Sequence, residues 1–208
     1  MSQVSNAESN NFTKQCIYTA LWDLMQDKPY ESITITQLAK KAGVSRNAIY
    51  RNFDSKDMII RKRLQEIFDE FIEHIKQNKT SSHQEYISIL FVFLCKKREI
   101  AEVLLKKSDL TGFLLEAFLY AKGKFNTNIK NEFYENYKIG GIFFVYMTWL
   151  LTGCQETPQQ LANYVNYILA NPTIPPKAII LNATNTPNGN IGIIDSETIK
   201  TKPKGIPN

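Results

Sequence analysis

The sequence has no apolar run of the roughly 18 to 20 residues that a membrane-spanning helix requires; the longest candidate, Gly140 to Leu151, is too short and gives way at once to polar residues. Membrane association is therefore not expected. The first eleven residues, 1–11, lack both a basic start and an apolar stretch, so no secretory signal is read and a cytoplasmic protein is expected. Cysteine is scarce: Cys16, Cys95 and Cys154 lie far apart in apolar surroundings and form no CxxC pair, which fits small buried hydrophobes better than disulfides or metal ligands. Histidine is scarcer still. His74 and His83 sit nine residues apart across a polar boundary, with no cluster of carboxylates or thiols at ligand spacing, so no metal and no cofactor are expected. The sequence also lacks GxGxxG, GxxxxGK[ST], GxSxG and HExxH, which removes the common phosphate-loop and hydrolytic signatures. The acidic pairs Asp109 with Glu116 and Glu132 with Glu135 read as solvated faces rather than catalytic dyads. An enzyme is not expected.

What is present is an ordinary globular composition, 208 residues of which 43% are hydrophobic, with an unevenly placed charge. Between Lys28 and Arg63 there are nine basic residues against three acidic ones, an excess larger than the net +5 of the whole chain. Phosphate binding calls for such concentration, because each neutralised phosphate releases condensed counterions. Charge alone does not separate this from a solvated surface.

Apolar periodicity predicts an all-α chain up to Asn171: helices over Phe12–Gln26, Gln37–Ala42, Arg46–Asn52, a long one from Asp57 past Phe71, then Gln84–Lys97, Ile100–Lys107, Leu110–Lys124, Ile129–Thr152 and Pro158–Leu169. Residues 171–208 hold six of the eight prolines and cannot be helical. Asn188-Gly189 between two apolar runs is a hairpin signal, so this tail reads either as disordered or as a docked hairpin.

The segment from Thr34 to Phe53 carries the chemistry. Leu38, Ala39, Val44, Ile49 and Phe53 fall on the inward faces of two short helices, and Gly43 permits the turn between them. Thr34-Ile35-Thr36 offers an N-cap to the first helix and Ser45 to the second. Arg46, Asn47, Ala48, Tyr50, Arg51 and Asn52 are then left pointing away from that core, where a second helix of this motif enters the major groove. Arg46 and Asn47 suit base edges, since Arg pairs bidentately with guanine and Asn with adenine. Thr36, Ser45, Tyr50 and Lys56 suit phosphates, and Arg51 and Asn52 suit either. Thr34 and Gln37, at the start of the first helix, complete the candidate DNA-contacting set.

The run Thr34 to Lys56, with Ala39, Gly43-Val44-Ser45, Ile49-Tyr50, Phe53 and Ser55-Lys56, resembles the N-terminal domain of TetR-family bacterial transcriptional regulators, and the match extends over about Phe12 to Phe71. Asn52 departs from the family, where His or Tyr is usual before the Phe. The resemblance implies a three-helix DNA-binding domain at 11–71, an antiparallel helical dimerisation and ligand-binding domain at 72–170, and a tail at 171–208. It implies a homodimer on double-stranded DNA at a palindromic operator, a repressor released by a small-molecule effector, or else the same fold controlled by a partner protein without an inducer. Candidate effector contacts are Phe91, Phe113, Phe118, Tyr137, Phe144 and Met147, although core packing explains such aromatics equally well. Candidate dimer contacts are Gly140, Gly141, Trp149, Tyr164 and Ile168; the glycine pair either permits a close crossing or simply marks a weak point in its helix.

Overall fold

The computed structural model describes residues 6–77, 82–107, 110–124 and 132–171. The proline-rich tail and its hairpin signal lie outside the described residues, as do 129–131 of the expected eighth helix.

Helix α1 (Asn6–Asp27) buries Ile17, Tyr18, Leu21 and Met25 along one stripe and stops one residue before Lys28-Pro29, where proline removes the next backbone donor. A single 3-10 turn, Tyr30–Ser32, then carries the chain into α2 (Ile35–Ala42). The cap of α2 is Thr34, with Thr36 already inside the first turn. Thr34 Oγ1 accepts from the Gln37 amide at 3.2 Å while the Gln37 side chain accepts from the Thr34 amide at 3.1 Å, a reciprocal box that satisfies two orphan donors. At the far end Gly43 adopts φ 67°, and the amides of Gly43 and Val44 reach back to the carbonyls of Lys40 and Ala39. Ser45 caps α3 (Arg46–Asn52) by accepting from the Ala48 amide at 3.0 Å. Helix α4 (Lys56–Gln77) follows after three residues.

The remaining helices are α5 (His83–Lys96), α6 (Arg98–Lys107), α7 (Thr111–Lys124), α8 (Glu132–Leu151) and α9 (Pro158–Ala170). All described secondary structure is helical. The sequence leaves a gap between α5 and α6 that the structure narrows to one residue, Lys97, whose amide bonds back to the Phe93 and Leu94 carbonyls. Helix α1 packs chiefly on α2, α4 on α7 and α5 on α9. The second half is held by an aromatic cluster: the Phe118 ring lies 5.3 Å from Phe68 and 5.4 Å from Phe143, and Phe93 lies 5.0 Å from Phe71. Tyr146 is enclosed there and gives its hydroxyl proton to the Leu94 carbonyl at 3.1 Å, so burying it leaves no polar group unmatched.

Side-chain bridges tie α1 and the 3-10 turn to α4, and α4 to α7, among them the Tyr120 hydroxyl donating to Asp69 at 2.9 Å. The Tyr18 hydroxyl donates to Glu66 at 2.8 Å and the Tyr30 hydroxyl to Asp57 at 2.6 Å; burial, reinforced by these carboxylates, pushes both phenols up, so they remain protonated donors. Arg61 forks onto Glu116 of α7, with Nε at 2.7 Å, and lies 4.6 Å from the centre of the Phe113 ring. No helix among the described residues is long and apolar enough to cross a membrane.

Candidate nucleic-acid interface

Helix α3 is only seven residues long, too short to hold its shape alone, and its position is imposed from beneath. Ile49 and Phe53 are buried, with the Phe53 ring 5.6 Å from that of Tyr18. Ala48 is buried too, at 8% exposure. The sequence pattern had placed it on the outer face; the structure turns it inward, because it shares a stripe with the Ser45 cap and Asn52 rather than with Asn47 and Tyr50. Arg46, Asn47, Tyr50 and Arg51 are exposed and form the outer face. Asn52 is half-buried and donates to the Ala48 carbonyl at 2.8 Å, an internal use of the residue that departs from the family pattern. Thr34, Thr36, Gln37 and Ser45 are exposed at the two helix starts, Thr34, Gln37 and Ser45 being engaged in caps as well.

Lys56 has a role the sequence does not reveal. Its ammonium turns back onto the carbonyls of Tyr30 and, at 2.9 Å, Ile33, and sits 4.0 Å from the centre of the Tyr30 ring. Two of its three donors are committed to clasping the 3-10 turn against the start of α4. Burial lowers its pKa, partly offset by Glu31 and Asp57. Lys56→Met should therefore lower stability by about 1.5 kcal/mol in urea melts, the low end for bonds from a charged donor, since the site is only half-buried. Unchanged melting with a salt slope reduced by about one would instead make Lys56 a phosphate ligand.

A capped helix, a left-handed glycine turn and a second helix with a polar outer face form a helix-turn-helix. Residues 17–62, which span it, match the family model for bacterial regulatory proteins of the tetR family. This segment is therefore similar to the DNA-binding part of tetR-family regulators. It is 23% identical to the HTH-type transcriptional regulator YxbF of Bacillus subtilis over 70% of this chain, and spans 42% of the length of that relative. Among solved structures, the regulator FadR of Bacillus subtilis, crystallised with stearoyl-CoA, is 19% identical with a TM-score of 0.57, covering 76% of this chain and 97% of that one. The dihydroxyacetone kinase operon activator DhaS is 18% identical with a TM-score of 0.53, covering 76% of this chain and 94% of its own. At such identities these likenesses establish the fold.

Beyond the helix-turn-helix, a half-open cavity of about 230 Å³ lies between α4, α5, α7 and α8. Phe68, Leu90, Phe118, Ala121, Ile139 and Ile142 form its apolar wall, and Tyr86, His83, Lys122, Glu135 and Lys138 its polar side. Of the five aromatics and one methionine expected at an effector, Phe118 lines this cavity. Phe91, Phe113 and Met147 are instead packed into the core, and Phe144 stands 69% exposed. Tyr137 is exposed and borders a smaller pocket of about 50 Å³ between α8 and α9. The sequence does not single out His83, Lys122, Glu135 or Lys138; of the charged three, Glu135 alone is read there, as part of a solvated face.

The outer side of α8 carries Phe133, Tyr137, Phe144 and Leu151, all exposed, at intervals that place them along one side of the helix; Tyr164, Tyr167 and Ile168 of α9 are exposed as well. A Cβ added at Gly140 or Gly141 would meet nothing within 4 Å of its own protomer. Trp149, expected in that interface, is buried inside the protomer and donates its indole N–H to the Glu156 carbonyl at 2.9 Å.

Proposed function

We propose that this protein is a homodimeric repressor of the TetR type that reads a palindromic operator with residues 11–71 and is released when a small molecule occupies the cavity between α4, α5, α7 and α8. The observation that carries the DNA-reading half is the outer face of α3, where Arg46, Asn47, Tyr50 and Arg51 are exposed on a helix whose other side is locked into the core. Arg46 and Asn47, at the N-terminal end, reach base edges; Tyr50, Arg51 and the capped starts of α2 and α3 hold phosphates. One such helix reads too few bases for a genome, so two are brought to half-sites a helical turn or a multiple apart.

The exposed stripe on α8 and α9 supports the dimer. Apolar side chains in such a continuous row are costly to leave in water, and the two glycines leave room for a second backbone. Phe144→Glu should give a monomer by sedimentation equilibrium and weaken operator binding by orders of magnitude; a variant that still sediments as a dimer places the interface elsewhere. A fold relative crystallised with stearoyl-CoA supports effector control from the helical half. Selection of preferred sites from random DNA, followed by titration at several salt concentrations, tests the reading as a whole. The expected result is an inverted repeat bound with a steep negative salt slope, and a protein with no preferred site would refute it.

A further inference from the structure

The chemistry of the cavity identifies its occupant more closely than the fold does. Its wall is apolar, from Phe68, Leu90, Phe118 and Ile142, and its charges gather on one side. There, Lys138 and Glu135 pair at 2.7 Å with side chains only 16% and 23% exposed, so each cancels the other. Lys122, on the facing helix α7, is held by the amide oxygen of Asn136, a neutral partner that leaves its positive charge uncancelled. His83 is pushed down, first by burial and then by Lys138, and so presents a neutral ring with one N–H to donate. Among the described residues, the polar side thus carries one positive charge without an acidic partner, and additional donors, next to an apolar space.

We propose, resting on the effector-controlled reading above, that the cavity binds a small amphipathic monoanion, a carboxylate of about eight carbons in all, with its head at Lys122 and His83 and its body against Phe118 and Ile142. The size follows from the volume: at about 30 Å³ for each water- or methylene-sized group, the 230 Å³ space holds roughly eight. The Lys138–Glu135 pair has a defined part in this arrangement. By neutralising Glu135, Lys138 removes the repulsion that a lone carboxylate would exert on an incoming anion. A cation or an uncharged ligand has no such match.

The test is calorimetric titration of the full chain with hexanoate, octanoate and decanoate, and with octan-1-ol and octylamine as neutral and cationic probes of the same length. Octanoate should bind at least tenfold more tightly than octan-1-ol, and octylamine should bind least. Each added methylene should tighten binding about three- to fourfold until the cavity is full. Lys122→Gln should weaken octanoate about tenfold and leave octan-1-ol unchanged, whereas a merely structural lysine would affect both alike; Ala121→Phe, which fills the cavity, should abolish both. Octan-1-ol or octylamine binding as well as octanoate, Lys122→Gln leaving octanoate unaffected, or no probe binding at all would overturn the proposal. Operator binding measured without any probe separates the two readings: intact DNA binding with no carboxylate binding rejects the ligand class alone, and failure of both rejects the regulator.

Discussion

Replacing Phe53 with alanine is expected to cost about 3 to 5 kcal/mol and to abolish binding to every DNA sequence alike. The ring is 1% exposed, terminates α3, and is enclosed by Tyr18 at 5.6 Å and the Lys62 ammonium at 5.6 Å. A seven-residue helix has almost no stability of its own, so the energy that orients its outer face comes from this ring together with Ile49. For a chain of this length the loss corresponds to a fall in melting temperature on the order of 6 to 20 °C. Thermal melts followed by circular dichroism would show it. A variant that melts normally yet fails on DNA would mean that Phe53 contacts the nucleic acid rather than supporting the reader.

The second large effect should look quite different. Arg46→Ala and Asn47→Ala remove exposed side chains at the N-terminal end of α3, so melting should be unchanged. Each should cost about 1 to 3 kcal/mol at the operator, roughly fivefold to more than a hundredfold, and relax preference at particular base pairs. The double variant should approach the affinity of the protein for random DNA, because phosphate contacts alone survive. Site selection repeated with each single variant supplies the check: if both variants keep the same consensus, these two residues do not read bases.

These predictions rest on a part of the chain that was unusually legible. Gly43 and Ser45 announce a turn and a cap because their roles are local, settled within three or four residues by backbone torsion and hydrogen bonding. The same locality made Thr34 and Thr36 hard to tell apart, since either hydroxyl can reach an amide three residues on; the pairing with Gln37 decided for Thr34. The contacts of Lys56 were illegible for the opposite reason. Tyr30 and Ile33 reach it only where the 3-10 turn meets α4, and periodicity contains nothing about that, whereas Asn52 bonds within its own helix, to Ala48 one turn back. In the second half, α8 is apolar on nearly every side, so no pattern separates Phe143, which faces the core, from Phe144, which faces outward. The lysines and glutamate around the cavity were illegible as a group because they come from α7 and α8 and meet only in the folded chain.

The turn at Gly43 has one further consequence. An added Cβ there would meet nothing within 4 Å, so the position does not demand a small residue. Its φ of 67° is the left-handed conformation that L side chains resist at a cost of about 1 to 2 kcal/mol. The requirement is thus one of handedness rather than of size: D-alanine, introduced by chemical synthesis, would sit at position 43 without strain, while L-alanine of the same volume would pull the two helices out of register.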